Sequence, residues 1–159
     1  MTASAADPAH FRQVLGHFAT GVTIITAMEG GEPVGMAASS FTSLSLEPPM
    51  VLFCAGKTSS TWPRIQRAKA FCVNVLADKQ EVLSRQFAGK GDKYAGIGWR
   101  PGATGSPVLD GVLAWIDCET EAEYDGGDHV IVVGRVVGLD AAVEQPLLYY
   151  RGGYGRYQA

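Results

Sequence analysis

The chain has 159 residues, of which 47% are hydrophobic and 18% charged, with a net charge of -3. That length suits a single domain (1-159) with a real core, and the charge gives no bulk attraction for nucleic acid or an anionic membrane. No run approaches the roughly 18 apolar residues of a membrane span, and the first ten residues lack a basic and apolar leader. Cys54, Cys72 and Cys118 are odd in number and widely spaced. A disulfide framework and a zinc site are therefore not expected, and free thiols in a reducing cytoplasm are.

Taken in chain order, the first six residues are small and polar and are expected to fray. Asp7-Pro8 then reads as an N-cap with proline at the first helical position. Phe11, Val14, Leu15 and Phe18 follow at helical spacing as one apolar face, closed by Gly21. The period changes to two at Val22–Ala27, turns at Met28–Gly31 and returns through Pro33–Ala38. Phe41–Leu46 is a third extended run, and Met50–Cys54 a continuous apolar strand expected to be buried on both faces. Ser59, Ser60 and Thr61 offer caps to a short helix reaching about Ala68. Phe71–Leu76 is another buried strand. Asp78 with Glu81 opens a helix through Phe87 in the manner of a capping box.

A glycine-rich loop, residues 88–105, carries Lys90, Asp92, Lys93 and Tyr94. Strands return at Val112–Tyr124 and His129–Leu139 around a turn at Asp125-Gly126-Gly127, and again at Leu147–Tyr150. About seven or eight strands and three short helices, with strands in consecutive runs, predict an antiparallel Greek-key barrel that is mainly β. No glycine fingerprint of a doubly wound nucleotide site is present.

Four segments could carry chemistry. Gly35 to Ser43, with Met36, Ala37, Ala38, Ser39 and Ser40, offers small residues against which a flat ring could lie. Ordinary strand packing accounts for it equally well. Cys54 to Thr61 runs from a strand into a helix start, where Lys57 and the hydroxyls of Ser59, Ser60 and Thr61 could cradle a phosphate; simple N-capping is the alternative. Gly126-Gly127-Asp128-His129 presents an imidazole beside a carboxylate, or is a solvated turn. The tail from Tyr149 alternates aromatic rings, Arg151 and glycines, which suits stacking, or it is a disordered end. Together they describe a site for a phosphorylated planar cofactor.

The phrases FATGVTIITA, GMAASSFTSLSLEPPMVLF, KTSSTW, FCVNVL, GGDHVIVVGRV and LLYYRGGYG resemble the short-chain flavin reductase family over nearly the whole chain. The members concerned are the reductase components of two-component flavin-dependent monooxygenases, notably those paired with actinobacterial aromatic and steroid-ring hydroxylases. The resemblance implies an FMN-binding split β-barrel, a homodimer, and hydride transfer from NADH, with NADPH left open, to FAD or FMN. It implies flavin contacts from Met36–Ser43, Cys54, Ala55, the Lys57–Thr61 segment and Phe87, Ala88 and Gly89. His129 is the one candidate for the catalytic site, orienting the nicotinamide, with Arg151 and Tyr154 close by. A non-enzymatic flavin-binding or electron-sensing module on the same barrel is the alternative, which bleaching of the flavin by NADH discriminates.

Overall fold

The computed structural model describes residue 4 and residues 6–159. The fraying expected at the N-terminus lies largely outside the described residues. Helix α1 (Pro8–Leu15) is capped by the Asp7 carboxylate, which accepts from the Ala9 amide at 3.0 Å. It ends with Gly16 as its C-cap, five residues before the expected Gly21. Its apolar face is not covered: Phe11, Val14, Leu15 and Phe18 are all more than half or about half exposed. Helical spacing predicts a stripe, but it does not supply a surface to bury it against.

The strands are β1 (Thr20–Gly21), β2 (Thr23–Glu29), β3 (Glu32–Ala38), β4 (Phe41–Ser45), β5 (Met50–Gly56), β6 (Ala70–Val75), β7 (Trp99–Pro101), β8 (Pro107–Leu109), β9 (Ala114–Gly126), β10 (His129–Ala141), β11 (Leu147–Tyr150) and β12 (Gly153–Arg156). Seven of them form one antiparallel sheet in the order β3-β2-β6-β9-β10-β5-β4. The sheet curls until β3 approaches β5, which gives the expected antiparallel barrel and leaves β3 and β4 as its two edges. Helix α2 (Trp62–Ala68) packs on β2, β3 and β6, and α3 (Glu81–Ala88) on β2 and β3.

Burial explains the register. Inside the barrel sit Ile25, Phe53, Phe71, Val73 and Val132, closed by Trp62 and Ile65 of α2. Phe53 meets Phe71 edge-on at 5.0 Å between ring centroids. A second core of Ile24, Leu76, Phe87, Leu109 and Leu147 covers the outer face. Ile24 and Ile25 are adjacent and both fully buried, so β2 buries apolar side chains on both faces, whereas β6 buries Phe71 and Val73 on one face and Cys72 with the hydrogen-bonded Asn74 on the other. Each such apolar side chain contributes about 1.5–3 kcal/mol of burial.

The β5 expectation is corrected. Val51, Phe53 and Ala55 are buried, whereas Leu52, Cys54 and Gly56 are half-exposed, because only one face meets the barrel interior. At the start of α3 the box is one-sided: a 3-10 turn over Asp78–Gln80 precedes the helix, and Gln80 Oε1 accepts from the Ala77 amide at 2.9 Å. The β9–β10 turn is Gly127-Asp128, since Gly126 pairs with His129 within the ladder. The tail is ordered, with β12 pairing antiparallel to β11.

Candidate functional site

Three hollows lie in sequence along edge strand β3, and the small residues of that strand make room for them. At its start, Gly35 packs directly on the Phe87 ring: a Cβ there would lie 2.5 Å from Phe87 Cε1. Here a hollow of about 400 Å³ is bounded by Gly35, Ser60, Thr61, Arg64, the Gly89–Gly91 backbone and Lys93. Ala37, Ala38 and Ser39 border a second, of about 210 Å³, against Ser84, Ala88, Tyr149 and Tyr154. Ser39 also lines the third, a slot of about 530 Å³ shared with Phe18, Thr20, Thr23, Ser40, Phe41, Leu52 and Cys54.

The 400 Å³ hollow has the donors of an anion site. The Lys93 ammonium donates to Gly35 O at 3.1 Å and lies 3.5 Å from Thr61 Oγ1. Among the described residues it has no carboxylate partner, while Arg64 is held by Glu29 and Glu32. Burial lowers the Lys93 ammonium below the ordinary lysine range. The Asp92 carboxylate also lines this hollow but accepts from the Tyr94 amide at 3.0 Å and forms no ion pair with Lys93; a half-buried cation facing two oxygen dipoles, with no ion-pair partner among the described residues, favours an anionic ligand.

The slot is walled by β5 and the turn that follows β3. The Cys54 amide donates to Ser40 O at 3.2 Å and the Ser40 hydroxyl donates back to Cys54 O at 3.1 Å, which fixes Ser40 over the strand. Leu52, Cys54 and Gly56 share one face of β5 by strand alternation. His129 is the cross-strand partner of Gly56, so its imidazole joins that face about 7 Å beyond Cys54, two strand steps along. A Cβ at Gly56 would lie 3.8 Å from His129 Nε2. Asp128 Oδ1 is 2.8 Å from His129 Nδ1, while Nε2 lies beside Gly56, and the imidazole holds the Asp128 carboxyl below its usual range. The slot also holds an unsatisfied group: Thr20 Oγ1 is buried without a hydrogen-bond partner.

The sequence-predicted residues divide. Gly35, Ala37, Ala38, Ser39, Ser40, Cys54, Ser60, Thr61, Ala88, Gly89 and Tyr154 line the hollows. His129 lines none of the three hollows and stands beside Gly56, on the same face of the sheet as Cys54. Met36 faces the barrel core, and Ala55 and Phe87 are buried in the cores. Ser43 is exposed on β4 opposite Val51. Ser59 Oγ accepts from the Thr61 and Trp62 amides at 3.2 and 3.1 Å and serves α2 as a cap. Lys57 is turned away from the anion hollow to pair with Asp125 across the sheet. Arg151 is an exposed turn residue whose amide donates to Gly16 O at 2.9 Å. Sequence reasoning read Lys93 only as part of a loop; its signal was a lysine following a glycine-rich stretch, GKGDK. Thr20 and Thr23, which line the slot, also went unmarked as site residues.

The flavin reductase like domain family matches residues 15–158. The flavin-dependent monooxygenase, reductase subunit HsaB of Rhodococcus jostii (strain RHA1), is 53% identical over 156 residues, covering 97% of this chain and 80% of that protein. The FMN reductase (NADH) SmoA of Agrobacterium fabrum (strain C58 / ATCC 33970) is 40% identical over 147 residues, 92% of this chain and 84% of that protein. Among solved structures, the NADH:FAD oxidoreductase SgcE6 of Streptomyces globisporus C-1027 superposes with a TM-score of 0.94 at 36% identity, covering 99% of this chain and 97% of that one. The same protein has been solved with NAD and FAD fragments.

Proposed function

Because this chain belongs to the flavin reductase like domain family, we propose that the groove along β3 is its flavin site. The isoalloxazine ring occupies the slot between Ser39, Ser40 and Cys54, and the phosphate the hollow at Lys93, Ser60 and Thr61. The residues fit such a group. The slot is of the size that small-molecule sites have, about 300–1,000 Å³, its walls combine small residues with Phe18, Phe41 and Leu52, and the neighbouring hollow presents an ammonium with no ion-pair partner among the described residues. That ammonium, set at one end of a strand of small residues, is the observation that carries the assignment.

The chain is an NAD(P)H-dependent flavin reductase, and it supplies reduced flavin to a flavin-dependent monooxygenase. Bound flavin supplies the hydride acceptor. The protein's task is to position. Ser40, locked to Cys54 by two hydrogen bonds, holds the ring's polar edge. Backbone amides there stabilise negative charge as it develops. His129, steadied by Asp128, orients the nicotinamide at the open end of the slot.

Further observations support the finer assignments. A second copy of the chain covers the exposed α1 face: Phe18 is 77% exposed and also forms part of the slot wall, so a homodimer would close the slot while burying that stripe. The chain acts as one domain throughout, supported by a family match spanning 15–158. No helix among the described residues is long and apolar enough to cross a membrane. Three free thiols support a cytoplasmic setting. The test is a spectrophotometric assay of NADH oxidation with FAD, FMN and riboflavin in turn. Turnover with at least one flavin is expected, and its absence with all three overturns the reading.

A further inference from the structure

Resting on the phosphate placement above, we propose that Gln86 and Tyr94 are positioning residues that set the Lys93 ammonium in the anion hollow. Lys93 belongs to the loop between α3 and β7, which bends at Gly91 and Gly96, with φ +102° and +72°. A lysine has a flexible four-carbon stem, and a loop backbone is free to swing. An ammonium held ready for a phosphate therefore needs its own backbone fixed. Gln86 lines none of the three hollows, so any effect it has on a ligand there passes through Lys93.

Gln86 stands in the last turn of α3. Its Nε2 donates to Lys93 O at 2.8 Å and to Ala95 O at 3.0 Å. Both acceptors are carbonyls, so the group between them must offer two N–H donors, which an amide does and a carboxylate does not. The next residue, Phe87, is buried and receives the Tyr94 ring edge-on at 5.1 Å between centroids. Trp99 meets the same ring at 6.5 Å. The Tyr94 hydroxyl donates to Val34 O at 2.8 Å, and the Lys93 ammonium donates to the next carbonyl along β3, Gly35 O, at 3.1 Å. Adjacent loop residues thus hold adjacent carbonyls of β3, while Gln86 grips the loop backbone on both sides of Tyr94. The same turn engages the carboxylate beside the ammonium, since Asp92 Oδ1 accepts from the Tyr94 amide at 3.0 Å. Groups tied into one network of this kind are coupled, so loosening either grip displaces Lys93.

The experiment is fluorescence titration of FMN and of riboflavin with wild-type protein, Gln86→Met, Tyr94→Phe, Lys93→Met and the double variant Gln86→Met with Lys93→Met, each shown by its thermal melt to fold. Gln86→Met keeps the side-chain length and removes both donors. Tyr94→Phe keeps the ring and removes the donation to Val34 O. FMN is expected to bind each of these two variants at least about fivefold more weakly than wild type, with riboflavin unchanged. In the double variant, Gln86→Met is expected to add nothing to the loss from Lys93→Met, because both act through one ammonium. A merely structural role would weaken FMN and riboflavin together and would persist once Lys93 is gone; either result overturns the proposal. Unchanged FMN affinity in either folded variant overturns the role given to that residue. Should Gln86→Met fail to fold, Tyr94→Phe with and without Lys93→Met decides the same question. The phosphate placement has its own readout. If wild-type protein does not bind FMN, or Lys93→Met leaves its affinity unchanged, that placement has failed and the positioning inference with it; if Lys93→Met weakens FMN while the other two variants do not, the positioning inference alone has failed.

Discussion

Replacing Lys93 with methionine keeps the aliphatic stem and removes the charge. The ammonium is already positioned, 3.1 Å from Gly35 O and 3.5 Å from Thr61 Oγ1, so a phosphate arriving there meets a donor with little ordering left to do. Hydrogen bonds to charged groups contribute about 1.5–3 kcal/mol. That corresponds to a dissociation constant for FMN raised roughly 10- to 150-fold. Riboflavin carries no phosphate and should bind the variant as it binds the wild type. Quenching of flavin fluorescence on titration measures both. The sign of the pH dependence is also fixed. The protonated amine is the binding form, and burial lowers its pKa from the ordinary lysine value. Wild-type FMN affinity therefore declines as pH rises, beginning earlier than an unperturbed lysine would dictate. Riboflavin affinity, and FMN affinity in the variant, lack that decline. Equal weakening of FMN and riboflavin, or unchanged binding of both, would refute the placement of the phosphate.

Three further outcomes are expected. His129→Ala should raise the KM for NADH or slow flavin reduction while flavin affinity stays within about twofold; normal NADH kinetics would remove the imidazole from the site. Gly35→Ala forces a Cβ to 2.5 Å from the Phe87 ring, which is 1% exposed and has no room to yield; a loss of about 1–3 kcal/mol is expected, and an unchanged melting temperature would contradict that packing. Cys54 faces the slot, whereas Cys72 and Cys118 are buried and burial raises both thiols, that of Cys118 to about 12. A maleimide should therefore label one thiol in the native protein, and bound flavin should slow it; labelling indifferent to flavin would place the ring elsewhere.

Much of the fold was legible because it rests on local pattern. The β-branched run at Val22–Ala27 is a strand whose two faces meet two different cores, and in Phe71–Leu76 the residues Phe71 and Val73 enter one core and Leu76 the other while Asn74 is buried through hydrogen bonds, so burial followed the hydrophobic runs. The same reasoning failed at Met50–Cys54, where Leu52 and Cys54 are apolar for the sake of the slot and not the core. Directions of side chains were less legible. Lys57 stands beside Ser59, Ser60 and Thr61 in sequence, yet it reaches across the sheet to Asp125, a contact set by the β5–β10–β9 pairing. Lys93, thirty-two residues from Thr61, enters the same hollow because the loop after α3 folds back over Gly35. Nothing local marks such a meeting. The α1 stripe shows the opposite limit: its spacing is plain in the sequence, but no surface among the described residues covers it.

The most direct test of the β3 groove is a crystal structure of the protein with FMN. The account predicts the ring against Ser39, Ser40 and Cys54, and a phosphate oxygen within hydrogen-bond distance of Lys93 Nζ. A flavin lodged away from β3, or a slot closed by the protein's own side chains while FMN binds elsewhere, would contradict it.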